Sequence, residues 1–173
     1  MTRDEEIWPR VESALRGLVP VTLTTMLVVL CVLPLGVPLL GSVMPLLPLM
    51  AVYYWAVHRP DLMPYAASGL IGLFQDALSG TPLGLSALVY VSVHAVVVNQ
   101  GRFFHGKSFV VIWFGFAVLA VGAAVLGWLI ASAYYQTLAA PAPALFQLLL
   151  TMALYPALSS LFGLVQRELL RPA

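Results

Sequence analysis

Asp76 is the residue of this chain with the clearest chemical potential, because it is a carboxylate inside a long apolar stretch. A charge costs about 2.5–3.5 kcal/mol in the hydrocarbon core of a bilayer, so it persists only where something offsets that cost. Two interpretations stay open. Asp76 contacts a partner protein, or its carboxylate holds the free backbone N–H groups of the next helix, which we expect to begin at Thr81–Pro82.

A stripe of small or polar residues surrounds this carboxylate, since Ser68, Gly72, Asp76 and Gly80 follow one another at intervals of four. On a helix this spacing places the side chains on one face, where a second backbone can approach closely. Packing against a neighbouring helix of the same chain is the main interpretation. Contact with a partner protein is the alternative.

His94 is a second candidate, as a ligand or proton site. A lone histidine in a membrane helix more often hydrogen-bonds a neighbour, and Tyr90 lies one turn away. No two histidines stand at metal-ligand spacing with a carboxylate, and Cys31 is the only cysteine. The sequence has no Gly-rich phosphate loop, no paired carboxylates and no serine in a nucleophile context. We therefore expect no metal, no cofactor and no catalytic activity.

The elements that position these residues follow from the composition. Hydrophobic residues make up 61% of the chain and charged residues only 9%, whereas a soluble domain carries roughly 25% charged residues. Much of the surface must therefore face lipid. The eight Lys and Arg residues form no run or stripe, which gives no reason to expect nucleic-acid binding.

Three nearly uncharged runs, 17–58, 62–101 and 108–166, are each long enough for two membrane spans and a turn. Breaker residues cluster inside each run, which predicts one turn per run. The predicted spans are 18–35, 42–57, 62–78, 82–100, 108–133 and 144–165. The second and third are short enough for tilt, local thinning or partial re-entry. Pro45 and Pro48 leave a five-span variant open.

The fold class is therefore an all-α integral membrane protein with about six transmembrane helices in three hairpins. Three hairpins place both termini and both inter-hairpin loops on one face, and this face holds every basic residue: Arg3, Arg10, Arg16, Arg59, Arg102, Lys107, Arg167 and Arg171. By the positive-inside rule this face, with both termini, is cytoplasmic. Residues 1–16 are then a cytoplasmic segment, 17–166 the transmembrane domain, and 167–173 a cytoplasmic tail.

Two smaller expectations concern the edges of the membrane. Ile7, Trp8, Val11 and Leu15 have near-helical spacing, which predicts an amphipathic helix at the cytoplasmic interface. A partly ordered, solvated tail is the alternative. Aromatic residues near span ends are interpreted as interfacial anchors; these are Trp55, Trp113, Tyr134 and Tyr135.

One segment carries a family resemblance: Gly69-Leu-Ile-Gly-Leu-Phe-Gln-Asp76-Ala-Leu-Ser-Gly80-Thr-Pro-Leu-Gly84-Leu-Ser-Ala-Leu88. It resembles the rod shape-determining protein MreD family, whose recurring pattern is Gly-Leu-x-x-Asp-x-Leu-x-Gly-x-x-x-Gly-x-x-Ala-Leu after a Gly-rich helix. Gly72, Gly80 and Gly84 match the glycines of that pattern around Asp76, and Gly69 lies in the Gly-rich helix before it. The preceding stretch, 53–64, also resembles the family, and the span number and orientation agree along the whole chain.

The resemblance implies a non-catalytic subunit of the bacterial cell-elongation machinery in the inner membrane. Similar proteins bind MreC, a bitopic partner, and act beside the actin-like MreB, the glycosyltransferase RodA and a cell-wall transpeptidase; membrane lipid is the remaining partner. The family shares a six-helix layout with substrate-binding subunits of energy-coupling vitamin transporters. A small-solute or lipid-binding transporter subunit is therefore the alternative, although few polar groups could line its cavity.

Overall fold

A computed structural model describes residues 4–33, 44–101, 106–138 and 140–169 of the chain, with side chains described from residue 18 to residue 168 within these ranges. The turn predicted between the first two spans lies mostly outside the described residues, in a stretch of proline and glycine at 33–42. So do Arg3, Arg102 and Arg171. The apolar face predicted for the segment 1–16 rests on side chains that are likewise not described.

The described ranges form six helices and contain no strand. The helices are α1 (Asp4–Val32), α2 (Leu47–His58), α3 (Tyr65–Ser79), α4 (Leu85–Asn99), α5 (Phe109–Tyr135) and α6 (Pro141–Leu169). Each overlaps one predicted span, so the all-helical class is confirmed. The backbone is already helical from Asp4, and this stretch continues without a break into the first predicted span.

Helix length separates these elements into two groups. α5 and the stretch Pro141–Glu168 of α6 are long and apolar enough to cross a membrane, whereas Leu18–Val32 and α4 are shorter apolar helices. α2 has only 12 residues, which rise about 18 Å against a hydrocarbon core of about 30 Å. Large apolar side chains stand exposed along α5, among them Phe114, Val118 and Val125, as expected where a helix faces lipid.

α2 occupies the centre of the described structure and contacts α1, α4, α5 and α6. All its residues from Pro48 to Ala56 are buried, as expected of a helix that is apolar on every side. Trp55 is fully buried and contacts the rings of Tyr54 and Phe162. The interpretation of Trp55 as an interfacial anchor is therefore wrong, because neighbouring helices cover even the last turns of α2.

The chain enters α2 through three non-helical residues, Met44 to Leu46, whose backbone groups need partners. α6 supplies them. The Gln147 side-chain amide donates to the Met44 carbonyl at 2.7 Å, and the Leu46 amide donates to the Thr151 hydroxyl at 3.1 Å. Two prolines, Pro45 and Pro48, flank this entry, and α2 begins at Leu47 instead of the predicted residue 42. The irregular backbone is tolerated because side chains of another helix satisfy it.

Inside α6, at Pro156, a side chain of another helix again replaces a missing backbone hydrogen bond. Proline has no N–H, so the Met152 carbonyl four residues earlier loses its helical donor. The Trp113 indole N–H of α5 donates to this carbonyl at 3.1 Å. Trp113, predicted as an interfacial anchor, thus satisfies the carbonyl that Pro156 leaves free.

We expect Trp113→Phe to lower the free energy of unfolding by about 1 kcal/mol, since a carbonyl facing apolar surroundings loses its donor. The same change should cost clearly less in a Pro156→Ala background, because the alanine N–H can bond Met152 within the helix. Thermal unfolding of the four variants of this double-mutant cycle in detergent measures the coupling. Equal costs in both backgrounds would show that the indole does not substitute for the missing helical bond.

Candidate functional site at the α3–α4 seam

The stripe predicted from the sequence faces the neighbouring helix α4, and we call this contact the seam. Ser68, Gly72 and Asp76 are all buried there, and α3 and α4 form the most extensive helix pair of the described structure. Gly80 lies just beyond the end of α3 and takes a left-handed conformation with φ 66°, which favours glycine. The stripe therefore packs within the chain itself.

Asp76 accepts hydrogen bonds from three residues of the turn and of the first turn of α4. The Gly84 amide donates to Oδ2 at 2.9 Å, the Ser86 amide lies 3.1 Å from both carboxylate oxygens, and the Thr81 hydroxyl donates to Oδ1 at 2.9 Å. Only 1% of Asp76 is exposed. The carboxylate thus occupies the position of an N-terminal cap, although it belongs to the preceding helix.

The electrostatics of this arrangement favour a negative charge. Gly84 is the N-cap of α4, and the free N–H groups at a helix start carry a partial positive charge. Gly84 takes φ 100°, and its amide is one of the two backbone donors to Asp76. α4 begins at Leu85, three residues after the predicted start, because Thr81 to Gly84 form the turn that encloses the carboxylate.

Gly72 is the point of closest approach between α3 and α4. A Cβ atom added there would lie 2.5 Å from the Ala87 backbone nitrogen and 2.7 Å from the Ser86 carbonyl carbon. Real Cβ contacts are longer, and neither backbone can move away locally. Gly69 is less restricted, since its added Cβ would meet only a Val91 methyl group at 3.3 Å. The helices approach this closely because position 72 has no side chain.

His94 lies at the other end of the seam, where its Nδ1 is 2.6 Å from the Ser68 hydroxyl and its ring contacts Tyr65. Its predicted neighbour Tyr90 instead bonds the Gln75 side chain. The proposed Tyr90 partnership of His94 is therefore wrong. His94 and Tyr90 are one turn apart on the same helix, but each reaches a different residue of α3.

The sequence model of a known family matches residues 12–165 of the chain, and its description is rod shape-determining protein MreD. The chain belongs to the MreD family. This membership makes it a rod-shape-determining membrane protein, and its family is a structural one that is not known as an enzyme family. Neither the curated proteins nor the solved structures include a match to the chain.

The MreD motif and the seam coincide in this chain. The candidate residues of the stripe and of the motif all lie at the seam or its turn: Ser68, Gly69, Gly72, Asp76, Gly80 and Gly84. His94 bonds the first of them. Within the described residues no three His, Cys, Asp or Glu side chains come together as a metal site. The seam thus positions one helix on another, with the Asp76 oxygens both occupied by protein donors.

Sequence analysis missed the polar residues that connect distant segments of this MreD protein. Gln75 bonds Tyr90 across the seam, and Gln147 and Thr151 hold the entry of α2. One signal could have found them. Side-chain amides within otherwise apolar spans are costly unless they have partners. On this basis the sequence could have predicted that Gln75 and Gln147 form hydrogen bonds inside the protein.

Proposed function

We propose that the chain is a non-catalytic scaffold subunit of the complex that builds lateral peptidoglycan during bacterial cell elongation. Its leading partner is the bitopic protein MreC, with MreB, RodA and a cell-wall transpeptidase in the same complex. The family match over residues 12–165 carries this proposal. A scaffold needs a rigid shape more than it needs reactive groups. The hydrogen bonds of Asp76 to the start of α4 are consistent with this, because they fix one helix on another and leave the carboxylate no free oxygen.

The same proposal places the chain in the inner membrane as a multi-pass protein with both termini in the cytoplasm. The positions of the basic residues support this orientation. Arg59 and Arg167 line one cavity at one end of the molecule. Phe109, the first residue of α5, lines it too, and Lys107 lies two residues before Phe109. The turn beside Asp76 and the entry of α2 lie at the opposite end of the molecule. Basic residues on one end are typical of a cytoplasmic face.

Depleting the protein should convert rods into wide, rounded cells, with no loss of uptake of any single nutrient. Cell width by microscopy and growth on single nutrients measure the two outcomes in one culture. Co-purification of MreC with the tagged chain from the same membranes tests the partner. Normal rods together with a specific uptake defect would contradict the scaffold and favour transport.

A second candidate function, a transporter subunit for a small solute or lipid, is favoured by one observation. A cavity of about 420 Å³ lies between the start of α2, the α3–α4 turn and the facing parts of α5 and α6. Gln75, Tyr90 and Gln147 are among its lining residues, but all three bond protein atoms. Its lining is otherwise largely apolar, which suits an apolar ligand better than a polar solute.

A further inference from the structure

A second and larger cavity lies at the end of the molecule that carries the basic residues. It measures about 900 Å³ and is bounded by the end of α2, the start of α5 and the second half of α6. We call it the basic-end cavity. Hydrogen bonds hold its three walls together, since Tyr53 donates to the Ile112 carbonyl at 2.8 Å and Tyr54 donates to the Gln166 side chain at 3.0 Å.

One side of the basic-end cavity is cationic. Arg167 lines it and has no ion pair among the described residues, while Arg59 lines it and pairs with Asp61 at 3.2 Å. The bonds to Asp61 use Nε and one terminal nitrogen of Arg59, which leaves its other terminal nitrogen to donate. Glu168 follows Arg167 and is exposed. Two guanidinium groups therefore share this cavity, and within the described ranges only that of Arg59 pairs with a carboxylate.

The other side is apolar and open to the surroundings. Phe109 and Leu164 line the cavity and are 49% and 60% exposed, so the apolar wall continues onto the outer surface of α5 and α6. Tyr155 also lines it, is 1% exposed, and carries a buried hydroxyl without a hydrogen-bond partner in the described part of the chain. The buried Tyr155 side chain therefore belongs to the apolar side of the cavity.

We propose that the basic-end cavity binds a phosphate group, and that the source of this phosphate is the headgroup of an anionic membrane lipid. Guanidinium groups recognise phosphate through paired, charge-assisted hydrogen bonds. Basic pockets between membrane helices bind anionic headgroups, and the size suits a ligand of that class. The exposed Phe109 and Leu164 lie where acyl chains would leave the cavity. A free phosphate compound shares the headgroup chemistry but makes no use of this apolar wall.

The test uses the full chain purified in a neutral detergent and titrated separately with three probes: dioctanoyl phosphatidylglycerol, dioctanoyl phosphatidylcholine and inorganic phosphate. The midpoint of thermal unfolding against probe concentration gives an apparent Kd for each. We expect phosphatidylglycerol to raise the midpoint saturably and phosphatidylcholine to have little effect. Arg167→Gln should weaken phosphatidylglycerol binding roughly fivefold, the factor for one cation near an anionic headgroup. Arg59→Gln should act in the same direction.

Lys107→Gln is the matched control, because it removes a basic charge from the same end but outside the lining of the cavity. Its apparent Kd should stay within about twofold of that of the unmodified chain. Saturable stabilisation by inorganic phosphate that is lost in Arg167→Gln would support the phosphate site and assign it to a soluble compound. Absence of stabilisation by either anion would overturn the site. An equal loss in Lys107→Gln and Arg167→Gln would overturn it too, because general surface charge would then explain the binding.

Discussion

Gly72→Ala is expected to prevent stable folding of the membrane domain. The new methyl group would lie 2.5 Å from the Ala87 backbone nitrogen, so α3 and α4 would have to separate. Overpacking costs about 1–3 kcal/mol where side chains can adjust, and here the obstacle is backbone, which puts the cost at or above the upper end. Folded protein in membranes should fall severalfold, as measured by its abundance and by thermal unfolding of the remainder.

Gly122→Ala is the matched control for this prediction. Gly122 also lies within a helix, α5, but nothing stands within 4 Å of a Cβ added there. That variant should be as stable as the unmodified chain or slightly more stable, because alanine favours the helix. Gly69→Ala should have an intermediate effect, since the Val91 side chain can move. Wild-type abundance of Gly72→Ala would contradict the close approach of α3 and α4.

Asp76→Leu is the second change with a large expected effect. It leaves the Gly84 and Ser86 amides and the Thr81 hydroxyl without their acceptor, and each unsatisfied donor costs about 1–3 kcal/mol. Asp76→Asn puts an amide nitrogen in place of one acceptor oxygen, which leaves some of these donors unsatisfied. Because the other oxygen can still accept, we expect this variant to lose less stability than Asp76→Leu. Abundance of the folded protein should therefore decrease in the order wild type, Asn variant, Leu variant.

Co-purification with MreC, measured in the same membranes, separates a structural role of Asp76 from contact with a partner. Asp61→Asn is the control, since Asp61 is exposed and bonds only Arg59 in the described structure; it should change little. Normal abundance of both Asp76 variants with reduced co-purification would assign the carboxylate to a partner. Normal values of both quantities would make Asp76 incidental.

Features set by neighbouring positions along the chain could be predicted from the sequence. Helical spacing of four identified the face with Ser68, Gly72 and Asp76, because residues one turn apart share a face whatever surrounds them. Uncharged runs likewise located the six helices, since a stretch of about 20 apolar residues can be recognised without knowing how the helices pack. Within the described residues, the proline and glycine clusters marked the turn between α3 and α4 and the turn between α5 and α6, with boundaries shifted by a few residues.

Features set by the mutual rotation of helices could not be predicted. Tyr90 and His94 were expected to interact because they are neighbours on one helix, yet they bond Gln75 and Ser68 of another. Nothing local indicates that Trp55 is buried, because its position near the end of α2 resembles that of an interfacial residue. The basic-end cavity combines residues from segments more than 100 positions apart, and its existence depends on how three helices meet.

The central position of α2 has a consequence for the order in which the chain is made. Among the helices that surround α2, only α1 precedes it along the chain, and α4, α5 and α6 are synthesised afterwards. The side chains that satisfy Met44 and Leu46 come 103 and 105 residues later. The backbone groups at the entry of α2 therefore lack these two hydrogen-bond partners until α6 has been synthesised. Arrival of α6 is then the event that completes the fold.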